Sequence, residues 1–219
     1  MRMTDRISPR QFLESPGVAD WRLIQGGGWA CAHFRTGSFG VGIALVGVIG
    51  QLADALDHPA DVDLRPESVS VRLFSGETVG LSTLDLEMAR QISAAARELD
   101  VSADPGAVQH VEVVLHALAP AEVRPFWRAV LGYAEVGDEG LIDPHRQGPS
   151  IWFQQTNAPR PERGRIHLVA YVPQDQAEAR IAAALAAGGR VVSDADAPAW
   201  WTLADPEGNE ADVAVRTTG

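Results

Sequence analysis

The stretch LDHPADVDLR, Leu56 to Arg65, places a histidine where an apolar, helix-patterned run ends and an acidic, strand-patterned run begins. Imidazole titrates near neutral pH, so His58 has the chemistry of a general acid or base; a helix-end residue with no chemistry is the competing reading. Two further histidines, His110 in HVEVVLHA and His167 in HLVAYV, each open an alternating strand pattern. Alternation sends successive side chains to opposite faces. His110, Glu112, Val114 and His116 therefore share one face, with Val111, Val113 and Leu115 on the other. Likewise His167 and Tyr171 oppose Leu168, Ala170 and Val172, and Asp212 opposes Val213 and Val215. These polar groups all fall on the side away from the apolar residues.

Other reactive groups are few. The 18 basic residues are all arginine, which removes Schiff-base chemistry and every lysine nucleophile. Cys31 is the single cysteine, so no internal disulfide can form and a thiolate zinc site is not expected. A net charge of −11 with no local basic stripe opposes nucleic acid as a partner. Gly26 to Gly28 lack the Lys-Ser/Thr continuation of a phosphate loop and read as a turn, and RPERGR, Arg160 to Arg165, reads as a solvated loop. The opening MRMTDRISPRQF has no apolar leader stretch, and no apolar run is expected to reach the roughly 18 residues of a membrane span. The expectation is a cytoplasmic protein with no membrane partner.

With 219 residues, 46% hydrophobic and 21% charged, the chain is long enough for two folded domains. The polar, turn-rich DVSADPGAVQ, Asp100 to Gln109, is the candidate boundary, giving domains over 1–103 and 104–219. In the first, ACAHFR and SVSVRLF read as strands. SFGVGIALVGVIGQLADAL sets Phe39, Ile43, Val46 and Ile49 at helical spacing. Five glycines from Gly37 to Gly50 oppose that helix. Each interior one costs about 0.8–1 kcal/mol against alanine, which close packing on another helix would offset. LSTLDLEMARQISAAARELD reads as a helix with Ser82 as N-cap and Asp85 at its third position. Past the boundary a strand, a helix carrying Ala-Glu-x-Arg, a glycine and a second strand occur twice, with Gly132 and Gly188 in equivalent places. SIWFQQT would continue the first copy and AWWTLADPEGNEADVAV the second.

From about Trp21 to Leu99 the chain resembles the pterin-4a-carbinolamine dehydratases, through ADALDHPADVDLRPESVSVRL and GLSTLDLEMARQI. The resemblance implies an α+β domain, an antiparallel sheet with helices on one face, and a lyase that dehydrates 4a-hydroxytetrahydropterins with histidines as acid and base. Aligned without gaps, His58 falls on the first of the family's paired histidines, Pro59 on the second and Gly76 on a third. A one-residue insertion at Ala60 instead puts Asp57 and His58 on the pair. Either way Asp85 matches the family's helix-start aspartate, beside its plain reading as a charge near a helix N-terminus. His58 is thus a catalytic residue short of its partners, in a site eroded relative to the family.

Residues from about Val108 to Val215 resemble the glyoxalase-like members of the vicinal oxygen chelate superfamily, through FWRAVLGY, RIHLVAYVP, AGGRVV, DPEGNEADV and the two-copy layout. The resemblance implies two βαβββ modules and a divalent metal (Fe, Mn, Ni or Zn) held by His110, His167 and Asp212, a 2-His-1-carboxylate set. Gln155, related to Asp212 by the offset that relates His110 to His167, is a weaker fourth ligand. Glu112 or His116 would serve as base. The implied ligand is a pterin or a vicinal oxygen compound, with Trp127, Trp152, Trp200 and Trp201 available to stack on it or to fill the core. A metal-free binding or sequestering protein is the alternative. The glycine-rich helix is expected to support a homo-oligomer, a dimer.

Overall fold

The computed structural model describes residues 6–24, 28–75, 80–157, 168–172 and 174–215. The chain divides into two compact units, Met1–His110 and Val111–Gly219.

The first unit runs β1 (Arg6–Ile7), α1 (Pro9–Leu13), β2 (Arg22–Ile24), β3 (Trp29–Arg35), α2 (Phe39–Leu56), β4 (Asp61–Arg65), β5 (Ser68–Leu73), β6 (Leu81–Ser82), α3 (Thr83–Glu98) and β7 (Ser102–Ala103). Its main sheet has the antiparallel order β2-β3-β5-β4, with β7 added to β3, and β1 pairs with β6 apart from it. Ala30, Ala32 and Phe34 of β3 and Val69, Val71 and Leu73 of β5 point to one face, where Phe12, Leu45, Ile49, Met88 and Ile92 of the three helices cover them. Alternation puts Trp29, Cys31 and His33 on the other face. The α+β expectation, helices on one face of an antiparallel sheet, holds.

Helix α2 shows how its glycines are accommodated. A Cβ at Gly42 would lie 2.5 Å from Leu64 Cδ1, so this glycine lets the helix sit directly on β4. The close partner of Gly42 is therefore a strand, while the helix also packs on α3 as expected. Gly40, Gly47 and Gly50 have nothing within 4 Å of an added Cβ and open outward, as do Phe39 and Ile43. The expectation that no apolar run reaches membrane-spanning length is corrected: α2 is apolar enough over 18 residues to cross a bilayer. In this unit it instead packs on the sheet through Gly42, Leu45 and Ile49.

The segment after β7 stays with the first unit. Asp104 N–H donates to the His33 carbonyl at 2.7 Å, Arg35 Nε donates to the Asp104 carboxylate at 3.0 Å, and the 3-10 turn Pro105–Ala107 lies against β3. At its end the His110 ring meets Trp29 edge-on, centroids 5.0 Å apart. The turn-rich composition of Asp100 to Gln109 marks a strap tied to β3, and the units divide beyond it.

The second unit contains β8 (Glu112–Ala117), α4 (Pro120–Leu131), β9 (Ala134–Val136), β10 (Gly140–Ile142) and β11 (Ser150–Gln155), then β12 (Leu168–Tyr171), α5 (Gln174–Ala186), β13 (Arg190–Ser193), β14 (Trp200–Ala204) and β15 (Glu210–Ala214). These are two βαβββ modules with sheet orders β8-β11-β10-β9 and β12-β15-β14-β13, each containing one parallel pair, β8 with β11 and β12 with β15. The equivalent glycines stop the helices: Gly132 is the C-cap of α4 at φ 71°, and Gly188 follows α5 at φ 91°. Helices α4 and α5 pack on each other over one core, in which Phe126, Trp127 and Val130 meet Leu141, Phe153, Leu203 and Val213. Buried Asp205 organises the DPEGN turn, accepting from Trp127 Nε1 at 3.0 Å and from the backbone N–H groups of Glu207 and Asn209.

Candidate functional site

His58 is placed by the end of α2. Asp57 caps that helix in the left-handed region, φ 49° and ψ 44°, a conformation that short polar side chains tolerate, and His58 N–H returns to the Ala53 carbonyl at 3.0 Å. The imidazole is thereby buried, and its Nε2 lies 2.8 Å from Asp85 Oδ1. Asp85 is placed by the start of α3, as its N3 residue in a capping box with Ser82, and is wholly buried. Its other oxygen, Oδ2, accepts from Ser82 N–H at 2.7 Å, Ser82 Oγ at 3.0 Å and Ser75 Oγ at 2.5 Å. One carboxylate thus caps α3 through Oδ2 and meets His58 through Oδ1.

An oxygen crowded by donors has the bonding pattern of a carboxylate, and a carboxylate only accepts. A neutral His58 must then present Nε2–H to Asp85, which leaves Nδ1 as the ring's acceptor. Nδ1 has no hydrogen-bond partner among the described residues. The pair can therefore take a proton at Nδ1 and stabilise the resulting imidazolium from behind. Gly76, at the position of a third family histidine, lies outside the described residues. Cys31 offers no competing nucleophile: burial pushes its thiol up to about 12, against the opposing influence of Arg72 and with a further rise from Asp61.

In the second unit the strand register decides which candidates share a face. Pairing of β8 with β11 sets Glu112 beside Ser150, Val114 beside Trp152 and His116 beside Gln154. Glu112, Val114 and His116 are exposed, whereas Val113, Leu115 and Ala117 turn to the core. Glu112 Oε1 accepts from Trp152 Nε1 at 3.1 Å and Ser150 Oγ at 3.3 Å. On the other sheet Asp212 pairs with Val169 and Thr202, and its Oδ1 accepts from Thr202 Oγ1 at 2.8 Å. Tyr171 and Trp200 are exposed on that same face. Trp127 and Trp201 belong to the core, and Trp152 and Trp200 to the open faces.

The implied metal ligands are divided between the two units. His110 precedes β8 and its ring lies against Trp29 in the first unit. Gln155 pairs with Ala117 and shares the core-side parity of Ile151 and Phe153, opposite to Glu112. Asp212 keeps its expected face, and His167 lies outside the described residues. Among the described residues no three His, Cys, Asp or Glu side chains gather as a metal site would require. A strap carries His110, and strand parity sets Gln155 on the side of its sheet opposite to Glu112. The two serines around Asp85 are the residues that sequence reasoning missed as site components. Ser82 was legible only as a cap, and Ser75 carries no local signal.

Two family models match the chain: residues 5–95 match pterin 4 alpha carbinolamine dehydratase, and residues 112–214 match a glyoxalase-like domain. A Nocardia farcinica (strain IFM 10152) protein, "Putative pterin-4-alpha-carbinolamine dehydratase", is 37% identical over 95 residues, spanning 43% of this chain and 98% of its own. Among solved structures, a transcriptional coactivator/pterin dehydratase from Brucella melitensis aligns with a TM-score of 0.39 and 22% identity, over 42% of this chain and 99% of its own. A glyoxalase-related enzyme from Fulvimarina pelagi aligns with a TM-score of 0.40 and 20% identity, over 50% of this chain and 89% of its own.

Proposed function

We propose that this chain, which belongs to the pterin-4a-carbinolamine dehydratase family through its first domain and carries a glyoxalase-like second domain, is a cytoplasmic lyase whose acid–base set consists of His58 with Asp85 behind it. Dehydration of a 4a-hydroxytetrahydropterin breaks the C4a–O bond and removes the proton of the adjacent N–H, releasing water. In this reading His58 Nδ1 takes that proton, Asp85 balances the imidazolium, and solvent supplies the proton that leaves with the hydroxide. The observation that carries the reading is the buried 2.8 Å contact between His58 Nε2 and Asp85 Oδ1. With one histidine doing the work of three, the rate is weak.

The test is dehydration of a 4a-hydroxytetrahydropterin by the full chain. A modest acceleration that disappears in His58→Ala is expected. No acceleration at all, or a His58→Ala variant as active as the parent, overturns the catalytic reading. A rate equal to that of a three-histidine enzyme overturns the eroded-site reading.

A second reading, a binding or sequestering protein, is favoured by the open faces of the glyoxalase-like domain. There Glu112 with Trp152, and Asp212 with Tyr171 and Trp200, offer carboxylates beside aromatic rings to a pterin or a vicinal oxygen compound. Glu112 is the base of this domain if turnover occurs. The first domain then supplies assembly, as a homodimer formed through the outward face of α2 at Phe39, Ile43, Gly47 and Gly50.

A further inference from the structure

We infer that Ser75 is a positioning residue which, through Asp85, determines which nitrogen of His58 faces the reacting molecule; the inference rests on His58 being the acid–base residue of the first domain. The two oxygens of Asp85 have different duties. Oδ2 receives Ser75 Oγ at 2.5 Å, Ser82 N–H at 2.7 Å and Ser82 Oγ at 3.0 Å, and among the described residues Oδ1 receives His58 alone. The Ser82 donors come from the same helix start as Asp85 and hold the carboxylate as any capping box would. Ser75 differs in origin, because it lies past the end of β5 and outside α3. Its backbone N–H is fixed to the Gly80 carbonyl at 2.8 Å, so the hydroxyl arrives from a tethered strand end.

The geometry of two hydroxyls sorts their protons. Ser75 Oγ and Ser82 Oγ are 2.7 Å apart, and each has one proton to give. Ser82 Oγ already accepts from Leu84 N–H at 3.2 Å as the cap of α3. The shortest contact to Oδ2 is that of Ser75, which makes it the principal hydroxyl donor there and leaves Ser82 free to orient towards either oxygen. With Oδ2 occupied, the plane of the carboxylate is set and Oδ1 is held towards Nε2. Nε2 must then carry the proton, and Nδ1 is the bare nitrogen that can act as base. Without the Ser75 hydroxyl the carboxylate can rotate on its remaining Ser82 contacts, and either ring nitrogen of His58 can hold the proton.

The experiment is an NMR measurement on the full chain labelled with 15N-histidine, with the His58 ring assigned by His58→Gln. At a pH above the imidazole titration, the parent is expected to show a protonated Nε2 and a bare Nδ1. Ser75→Ala is expected to bring the two nitrogen shifts towards each other, and Ser75→Thr to restore the parent pattern. In dehydration assays Ser75→Ala lowers kcat about tenfold with KM unchanged, a part of the roughly 100-fold or more that positioned acid–base catalysis contributes. Ser75→Cys, a weaker donor of similar size, takes the place of alanine if that variant does not fold. A His58 ring pattern in Ser75→Ala identical to the parent overturns the inference. Because the ring pattern needs no turnover, a chain that dehydrates nothing sinks the catalytic reading without deciding the positioning of His58.

Discussion

The two domains hold their polar groups in opposite ways. In the first, Asp85 is wholly buried and every donor around it is matched, so the carboxylate is part of the folded core. In the second, Glu112 lies exposed on an open sheet face, where it accepts from the indole of Trp152 and the hydroxyl of Ser150. A buried carboxylate is fixed before any ligand arrives and can tune a neighbouring imidazole. An exposed one is free to exchange its partners for those of a ligand. The difference matches the proposed roles, proton transfer in the first domain and recognition in the second.

Replacing Asp85 gives the largest expected effect. Asp85→Ala leaves His58, Ser75 and Ser82 without their common acceptor and removes the capping box of α3. Breaking such a buried pair is expected to cost about 3–5 kcal/mol of stability, read as a shift in urea unfolding. A loss below about 1 kcal/mol would show that the network is no more integral to the fold than the open-face groups, and the contrast between the domains would collapse.

Glycine substitutions in α2 come next, and they extend the comparison to backbone packing. An alanine at Gly42 would place its Cβ 2.5 Å from Leu64 Cδ1, so Gly42→Ala should destabilise by about 1–3 kcal/mol as β4 and α2 are pushed apart. Gly47 faces open space, and Gly47→Ala should stabilise the helix by about 1 kcal/mol. Thermal unfolding of the two variants should therefore shift in opposite directions. A Gly47→Ala variant that unfolds earlier and sediments as a smaller species would place a partner copy against this face and support the homodimer reading.

How far the sequence displays all this depends on how local each cause is. The Ser82 cap with Asp85 at N3, the glycine stops at Gly132 and Gly188, and the alternation in β8 are set by residues a few positions apart, and the structure reproduces them. The two βαβββ modules follow from the same periodicities. Ser75 and Asp85 meet because β5 and α3 are brought together, and no spacing rule reports that. The placement of Gln155 shows a subtler effect. In the two last strands the core-facing equivalents are Ile151 with Ala211 and Phe153 with Val213, so the offset that relates His110 to His167 has the wrong parity there and maps Gln155 onto the opposite face. The segment before β8 that carries His110 is claimed by β3 and Trp29, a tertiary preference that a strand pattern does not contain.

The smallest expected effect on stability is also the sharpest test of the contrast. Glu112→Gln keeps the size of the side chain and an oxygen able to accept from Trp152 and Ser150, so unfolding should move by no more than about 0.5 kcal/mol. What it removes is the charge, and on an exposed face that charge is available to a ligand rather than committed to the core. Binding of a pterin, followed through quenching of the exposed tryptophans, should therefore weaken in Glu112→Gln even though the fold is undisturbed, because the pterin's ring N–H donors lose a charged acceptor. Unchanged affinity would move ligand recognition away from this sheet face and leave Asp212, with Thr202, Tyr171 and Trp200, as the open-face carboxylate to be tested. A stability loss as large as that of Asp85→Ala would instead mean that Glu112 is structural, and that both domains spend their carboxylates in the same way.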